Sequence, residues 1–156
     1  MTLHLGPPAS PKVLVGKQAN FAQIGVLPWR RRKGEIEVCL VTSRRSGRWI
    51  VPKGWPMEGR TPAEAAAIEA WEEAGLTGTV SPDPLGVYGY VKQYGGAALP
   101  IIAVLFAMRV RQVADDFPES QDRKRVWLKP KKAAARLAEP ELARIVRKFT
   151  RTKARS

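Results

Sequence analysis

Cysteine and histidine are almost missing from this 156-residue chain; Cys39 and His4 are the only examples. A single cysteine excludes an internal disulfide framework, and the pair cannot build a zinc cluster. Cys39 lies in EIEVCLV and reads as a buried strand residue, with no histidine partner for a catalytic thiol. One histidine near the N-terminus also argues against triad or histidine-based acid–base chemistry. Apolar runs are short. None reaches about 18 residues, so no membrane span and no membrane association are expected. MTLHLGPPASPK has no basic region followed by an apolar core, so it does not read as a signal peptide, and a cytoplasmic location is expected. Acidic residues are scarce as well. Asp and Glu number 14 against 27 Lys and Arg, for a net charge of +13. That excess attracts polyanions such as polyphosphate ligands or RNA, or else serves solubility.

What is present fits one globular domain. The hydrophobic content of 44% is ordinary, and the length can bury an adequate core. Residues 1–12 carry Gly6, Pro7, Pro8 and Pro11 and are expected to be flexible. Residues 13–150 form the domain, and 151–156 a basic tail. Ala19 to Trp29 is strand-like and broken by Pro28, and Arg30–Lys33 with Gly34 reads as a hairpin tip. Ile36, Val38 and Leu40 alternate with Glu35, Glu37 and Cys39, which predicts a strand. Further strands are expected at Trp49–Val51, Leu85–Lys92, Ile101–Val110 and Arg125–Leu128. Short helices are expected over Lys131–Leu137 and from Pro140 onward. The sum is an α+β arrangement, a mixed sheet flanked by helices.

Gly54 to Leu76, GWPMEGRTPAEAAAIEAWEEAGL, is the most informative stretch. Thr61, Pro62 and Glu64 make a helix start with a capping box, and Gly75 supplies the stop. Ala63, Ala66, Ala67, Ala70, Trp71 and Ala74 form one apolar side at helical spacing. Glu69, Glu72 and Glu73 cluster on a separate face. Like charges at this spacing repel. Either the face is solvated, or it holds a cation. A hard divalent ion with oxygen ligands is the obvious candidate.

The same residues resemble the Nudix box, G-x5-E-x7-R-E-U-x-E-E-x-G-U, where U is bulky and aliphatic. Gly54, Glu69, Glu72, Glu73, Gly75 and Leu76 match it. Two positions depart: Arg60 stands for the loop glutamate and Ile68 for the arginine. In the family those two residues are understood to pair and brace the loop against the helix. Ala70 replaces a larger aliphatic. SRRSGRWIVPKGWPMEG and FPESQDRKRVWLKPKKAAARL are similar to the diphosphoinositol and diadenosine polyphosphate hydrolase branch. The likeness spans roughly Lys17 to Phe149.

The resemblance implies a Nudix-like α/β/α sandwich and metal-dependent hydrolysis of a phosphoanhydride, with Mg²⁺ or Mn²⁺ as cofactor. It implies a metal shell of Gly54 (through its carbonyl), Glu69, Glu72 and Glu73, with Glu119 from a distant acidic loop. Glu72 and Glu73 are the expected catalytic carboxylates. Lys17, Arg44, Arg45, Arg48, Lys53, Lys92 and Arg125 are the expected cationic partners of substrate phosphates. Arg60 is expected to add positive potential near the site. Trp49, Tyr88, Tyr90 and Tyr94 are either core residues or a surface on which a base stacks. Two other functions stay open: removal of pyrophosphate from RNA 5′ ends, and a degenerate domain that binds a polyanion without turnover.

Overall fold

The computed structural model describes residues 21–149. The expected flexible segment 1–12, the tail 151–156 and Lys17 lie outside the described residues. Strand β1 (Phe21–Arg32) turns at Lys33–Gly34 into β2 (Glu35–Thr42). Both turn residues have positive φ, 53° and 80°, as the tight right-twisted hairpin turn requires. Short strands β3 (Trp49–Ile50) and β4 (Lys53–Gly54) lead to helix α1 (Pro62–Ala74). Then follow β5 (Leu76–Val80), β6 (Gly86–Tyr94), β7 (Ala97–Val113), β8 (Arg125–Leu128), α2 (Pro130–Ala135) and α3 (Pro140–Arg147).

The strands make one 8-stranded mixed sheet. Its spine is the parallel pair β1 and β7, in register from Phe21 opposite Ile101 to Trp29 opposite Arg109. All other pairings are antiparallel. β7 is 17 residues long because it serves two partners, β6 along its first half and β5 along its second. One face of the sheet buries Leu27, Val38, Leu40 and Leu105 against α2 and α3. The other buries Val26, Val41, Phe106 and Met108 against the alanines of α1. The result is an α/β/α sandwich, the fold class expected.

Three local expectations change. Pro28 does not break β1; the strand runs through it. The Val26 N–H points to the Pro52 carbonyl at 3.0 Å, and strand alternation aims position 28 to the same side. There β1 has passed Pro52, and its ladder with β2 begins only at Trp29, so the missing N–H breaks no pairing. β5 was not anticipated, because LTGTV lacks a clear apolar alternation and gains its strand form by pairing with β7. Finally, the buried side of α1 consists of Ala65, Ala66, Glu69, Ala70, Glu73 and Ala74. Glu69 and Glu73 therefore share the face of the buried alanines, while Trp71 is exposed. Among the described residues no helix is long and apolar enough to cross a membrane.

Candidate active site

Helix α1 starts where the sequence sets it. The Glu64 N–H donates to Thr61 Oγ1 at 3.1 Å, and the Thr61 N–H donates to Glu64 Oε1 at 2.8 Å. At the other end Gly75 adopts φ 69°, and its N–H bonds back to the carbonyls of Ala70 and Trp71. Between these caps, fully buried alanines let the helix backbone lie close to β1 and β4. That closeness takes Glu69 and Glu73, one turn apart, down to 3% and 5% exposure.

Gly54 on β4 completes the packing. A Cβ at this position would overlap the Glu69 carboxylate, so only glycine lets that side chain lie across the strand. Next to it, the Lys53 N–H donates to Glu73 Oε1 at 3.3 Å. Burial raises the pKa of both glutamates, that of Glu73 well above the ordinary carboxylate value. The two carboxyls also hydrogen-bond to each other, which raises Glu73 further and opposes the rise at Glu69. Glu72 and Glu119 push Glu69 up as well. Burying like charges together is unfavourable unless a proton or a cation is held between them.

The carboxylates open onto a cleft of about 1070 Å³. Glu69, Glu72, Glu73 and Glu119 form its acidic wall, and Arg44, Arg45, Arg48, Lys53 and Lys92 stand around it. The three arginines sit on the exposed β2–β3 loop, held in shape by hydrogen bonds among Ser43, Ser46 and Arg48. The Lys53 amine packs 5.3 Å from the Tyr90 ring centre. Burial lowers its pKa, and Glu73 and Glu139 oppose that loss of charge. A smaller hollow of about 360 Å³ beside Trp71 and Val113 has no charged lining residue and offers no comparable chemistry.

Most of the expected site residues therefore converge. Gly54, Glu69, Glu72, Glu73, Glu119, Arg44, Arg45, Arg48, Lys53 and Lys92 all line this one cleft. Arg125 does not. Its Nη1 donates to the carbonyls of Ala74 and Ala114 at 2.6 and 2.7 Å, and its guanidinium lies 5.2 Å from the Phe117 ring centre. It binds the C-terminal end of α1 to the loop after β7 and has no reach left for substrate. Arg60 is exposed next to Glu64 and stands outside the cleft lining. Trp49 packs on the core near Arg136, and Tyr88 is only 2% exposed. Tyr90 does reach the cleft, and its hydroxyl donates to Gln23 Oε1.

Sequence reasoning missed Arg123, Gln23 and Trp55, which also line the cleft. The signal for Arg123 was its two-residue spacing from Arg125, which puts both on the α1 side; the nearer one carries the site contact. The signal for Gln23 was that it is the one polar side chain in the run FAQIGVLPW.

The donor set fits a hard divalent cation. Oxygens of buried, mutually repelling carboxylates face a water-accessible cleft, with no nitrogen or sulfur ligand among them. Among the described residues no three acidic, histidine or cysteine side chains are already gathered into a cage. Hard divalent cations can complete such a shell with waters and substrate phosphate oxygens.

Sandwich and site together define a domain in which a glycine-led loop and helix present buried glutamates to a basic cleft. The chain belongs to the family of that architecture: residues 20–149 match the NUDIX domain. It is 30% identical over 133 residues to the mitochondrial Nudix hydrolase 13 of Arabidopsis thaliana, covering 73% of this chain and 66% of that protein. The chain thus spans just under two thirds of that relative. Among solved structures, the fold is similar to an E. coli dihydroneopterin triphosphate pyrophosphohydrolase, with TM-score 0.65, 19% identity and coverage of 82% and 93% of the two chains. It is also similar to a C. elegans Ap4A hydrolase, with TM-score 0.60, 22% identity and coverage of 87% and 99%.

Proposed function

We propose that this protein is a divalent-metal-dependent hydrolase that cleaves a phosphoanhydride bond in a polyphosphorylated small molecule, of the diphosphoinositol polyphosphate or dinucleoside polyphosphate type. One observation carries the reading: Glu69 and Glu73 are buried against each other in the acidic wall of a cleft that Arg44, Arg45, Arg48, Lys53 and Lys92 also line. Names of similar proteins, the Ap4A hydrolase among them, agree with that substrate chemistry.

Glu69, Glu73, the Gly54 carbonyl, Glu72 and Glu119 would hold Mg²⁺ or Mn²⁺. The ion would supply neutralisation of phosphate charge and a lowered pKa for bound water. The chain's own groups do the rest. Arg44, Arg45 and Arg48 grip phosphate oxygens with their planar forks, and Lys53 and Lys92 act as point charges. Glu72, half-exposed in the cleft, takes the proton of the attacking water. Glu73, deeper, fixes geometry.

A second reading has its own support. The β2–β3 arginines are exposed and the cleft is open, so the 5′-polyphosphate end of an RNA also fits. The test is turnover on a panel of diphosphoinositol, dinucleoside, nucleotide-sugar and 5′-triphosphate RNA substrates with Mg²⁺ or Mn²⁺. Cleavage of RNA alone favours the second reading. Binding without turnover by the wild-type protein on every substrate leaves a polyanion-binding domain.

A further inference from the structure

We propose that Arg123 is the positioning residue of this site: its guanidinium fixes where Glu73 and Glu119 present their oxygens to the cleft. The inference rests on the metal-site reading above and extends it to a residue outside the box.

The side chain is 8% exposed and ties three elements together. Its Nε donates to Glu119 Oε1 at 2.8 Å, in the loop after β7. Its Nη1 donates to the Thr42 carbonyl at 2.9 Å, at the end of β2. Its Nη2 lies 3.7 Å from Glu73 Oε1 on α1. A planar fork with donors in three directions is what such a junction needs, and an ammonium cannot reproduce it. The junction is itself held on both sides. The Lys124 N–H donates to Thr42 Oγ1 at 2.9 Å, and the Thr42 N–H donates to the Lys124 carbonyl at 3.0 Å. The Glu119 N–H donates to the Glu72 carbonyl at 3.0 Å, which brings the acidic loop onto the metal-facing helix.

Neither departed box residue supplies this role. Ile68 packs into the apolar cluster under α1, and Arg60 is exposed. Neither can fix a carboxylate in the cleft. Arg123 reaches Glu73 and Glu119 out of the segment preceding β8. It lowers the pKa of both Glu69 and Glu73 against the effect of burial. It acts through those glutamates and touches no reacting atom in this account.

The test compares the wild type, Arg123→Lys and Arg123→Gln. Two readouts are taken without substrate: Mn²⁺ affinity by electron paramagnetic resonance, and amide hydrogen exchange of residues 115–124 in the metal-free protein. Arg123→Gln should weaken Mn²⁺ binding by about 10- to 100-fold, the usual effect of losing a partner of a metal ligand. It should also speed exchange in that loop. Arg123→Lys, which keeps the charge but loses the fork, should fall in between. Faster loop exchange in Arg123→Gln with Mn²⁺ affinity unchanged is a purely structural role and overturns the proposal. Mn²⁺ affinity unchanged in Arg123→Gln, with only substrate affinity lost, makes Arg123 a substrate ligand and overturns the proposal. If the wild type binds no Mn²⁺, the metal reading fails. Loop exchange then decides on the brace alone: faster in Arg123→Gln supports it, and unchanged overturns it.

Discussion

Gly54 and the Glu69 carboxylate occupy adjoining space so tightly that a single methyl group on Gly54 would overlap the carboxylate. The first glycine of the box and its first helical glutamate are thus one steric unit. Gly54→Ala must push Glu69 aside or shift β4 away from α1. The expected result is a loss of turnover of at least about 10-fold, with Mn²⁺ affinity falling in parallel. Kinetics paired with metal titration check it. An Ala variant with wild-type values would mean that Glu69 does not work from the position seen here.

The buried glutamate pair gives a stability signature. Folding raises the pKa of Glu73 and Glu69 above the ordinary 4.5. In that range the folded chain binds more protons than the unfolded one, so stability is greatest at low pH and declines as pH rises through the folded values. Thermal unfolding of metal-free protein should therefore show this component of Tm decreasing above about pH 4.5. Glu73→Gln should flatten the decline and raise the neutral-pH Tm by a few degrees while abolishing turnover. A Tm at pH 7 lower than that of the wild type would contradict the assignment.

Arg125 separates structure from substrate binding. It spends its donors on two backbone carbonyls, Ala74 at the end of α1 and Ala114 in the loop after β7. Arg125→Met should cost about 1–3 kcal/mol of stability, the range for leaving buried polar groups unpaired, and leave KM unchanged. Denaturant unfolding and steady-state kinetics read the two effects. A raised KM at unchanged stability would return Arg125 to the substrate site.

Cys39 should be inert in the folded state. It is fully buried, and burial pushes its thiol up to about 12. A thiol reagent at pH 8 should label it only after unfolding. Fast labelling of native protein would show that the sheet opens there.

What the sequence disclosed and what it hid divide along local and long-range contacts. Glu69, Glu72, Glu73 and Gly54 were legible because helical spacing and two cap signals lie within one short stretch. Arg48 and Lys53 were legible because their loop leads straight into it. Burial of Glu69 and Glu73 among the alanines was not legible. A helical wheel sorts residues by polarity, and here the polar groups face inward toward the cleft. Arg123 was missed because its partner Thr42 lies 81 residues away, and only the pairing of β2 with β8 brings them together. Pro28 was misread because a proline in a strand is harmless only where the ladder has a gap, and only the register reveals that gap.

The central claim is that the carboxylates of α1 run metal-dependent phosphoanhydride cleavage. The most direct measurement is product analysis after incubation with diphosphoinositol and dinucleoside polyphosphates, with and without Mg²⁺ or Mn²⁺, for the wild type and Glu73→Gln. The account predicts metal-dependent cleavage by the wild type on at least one of these classes and none by Glu73→Gln. Cleavage undiminished in Glu73→Gln, or no cleavage by the wild type on either class, would contradict it.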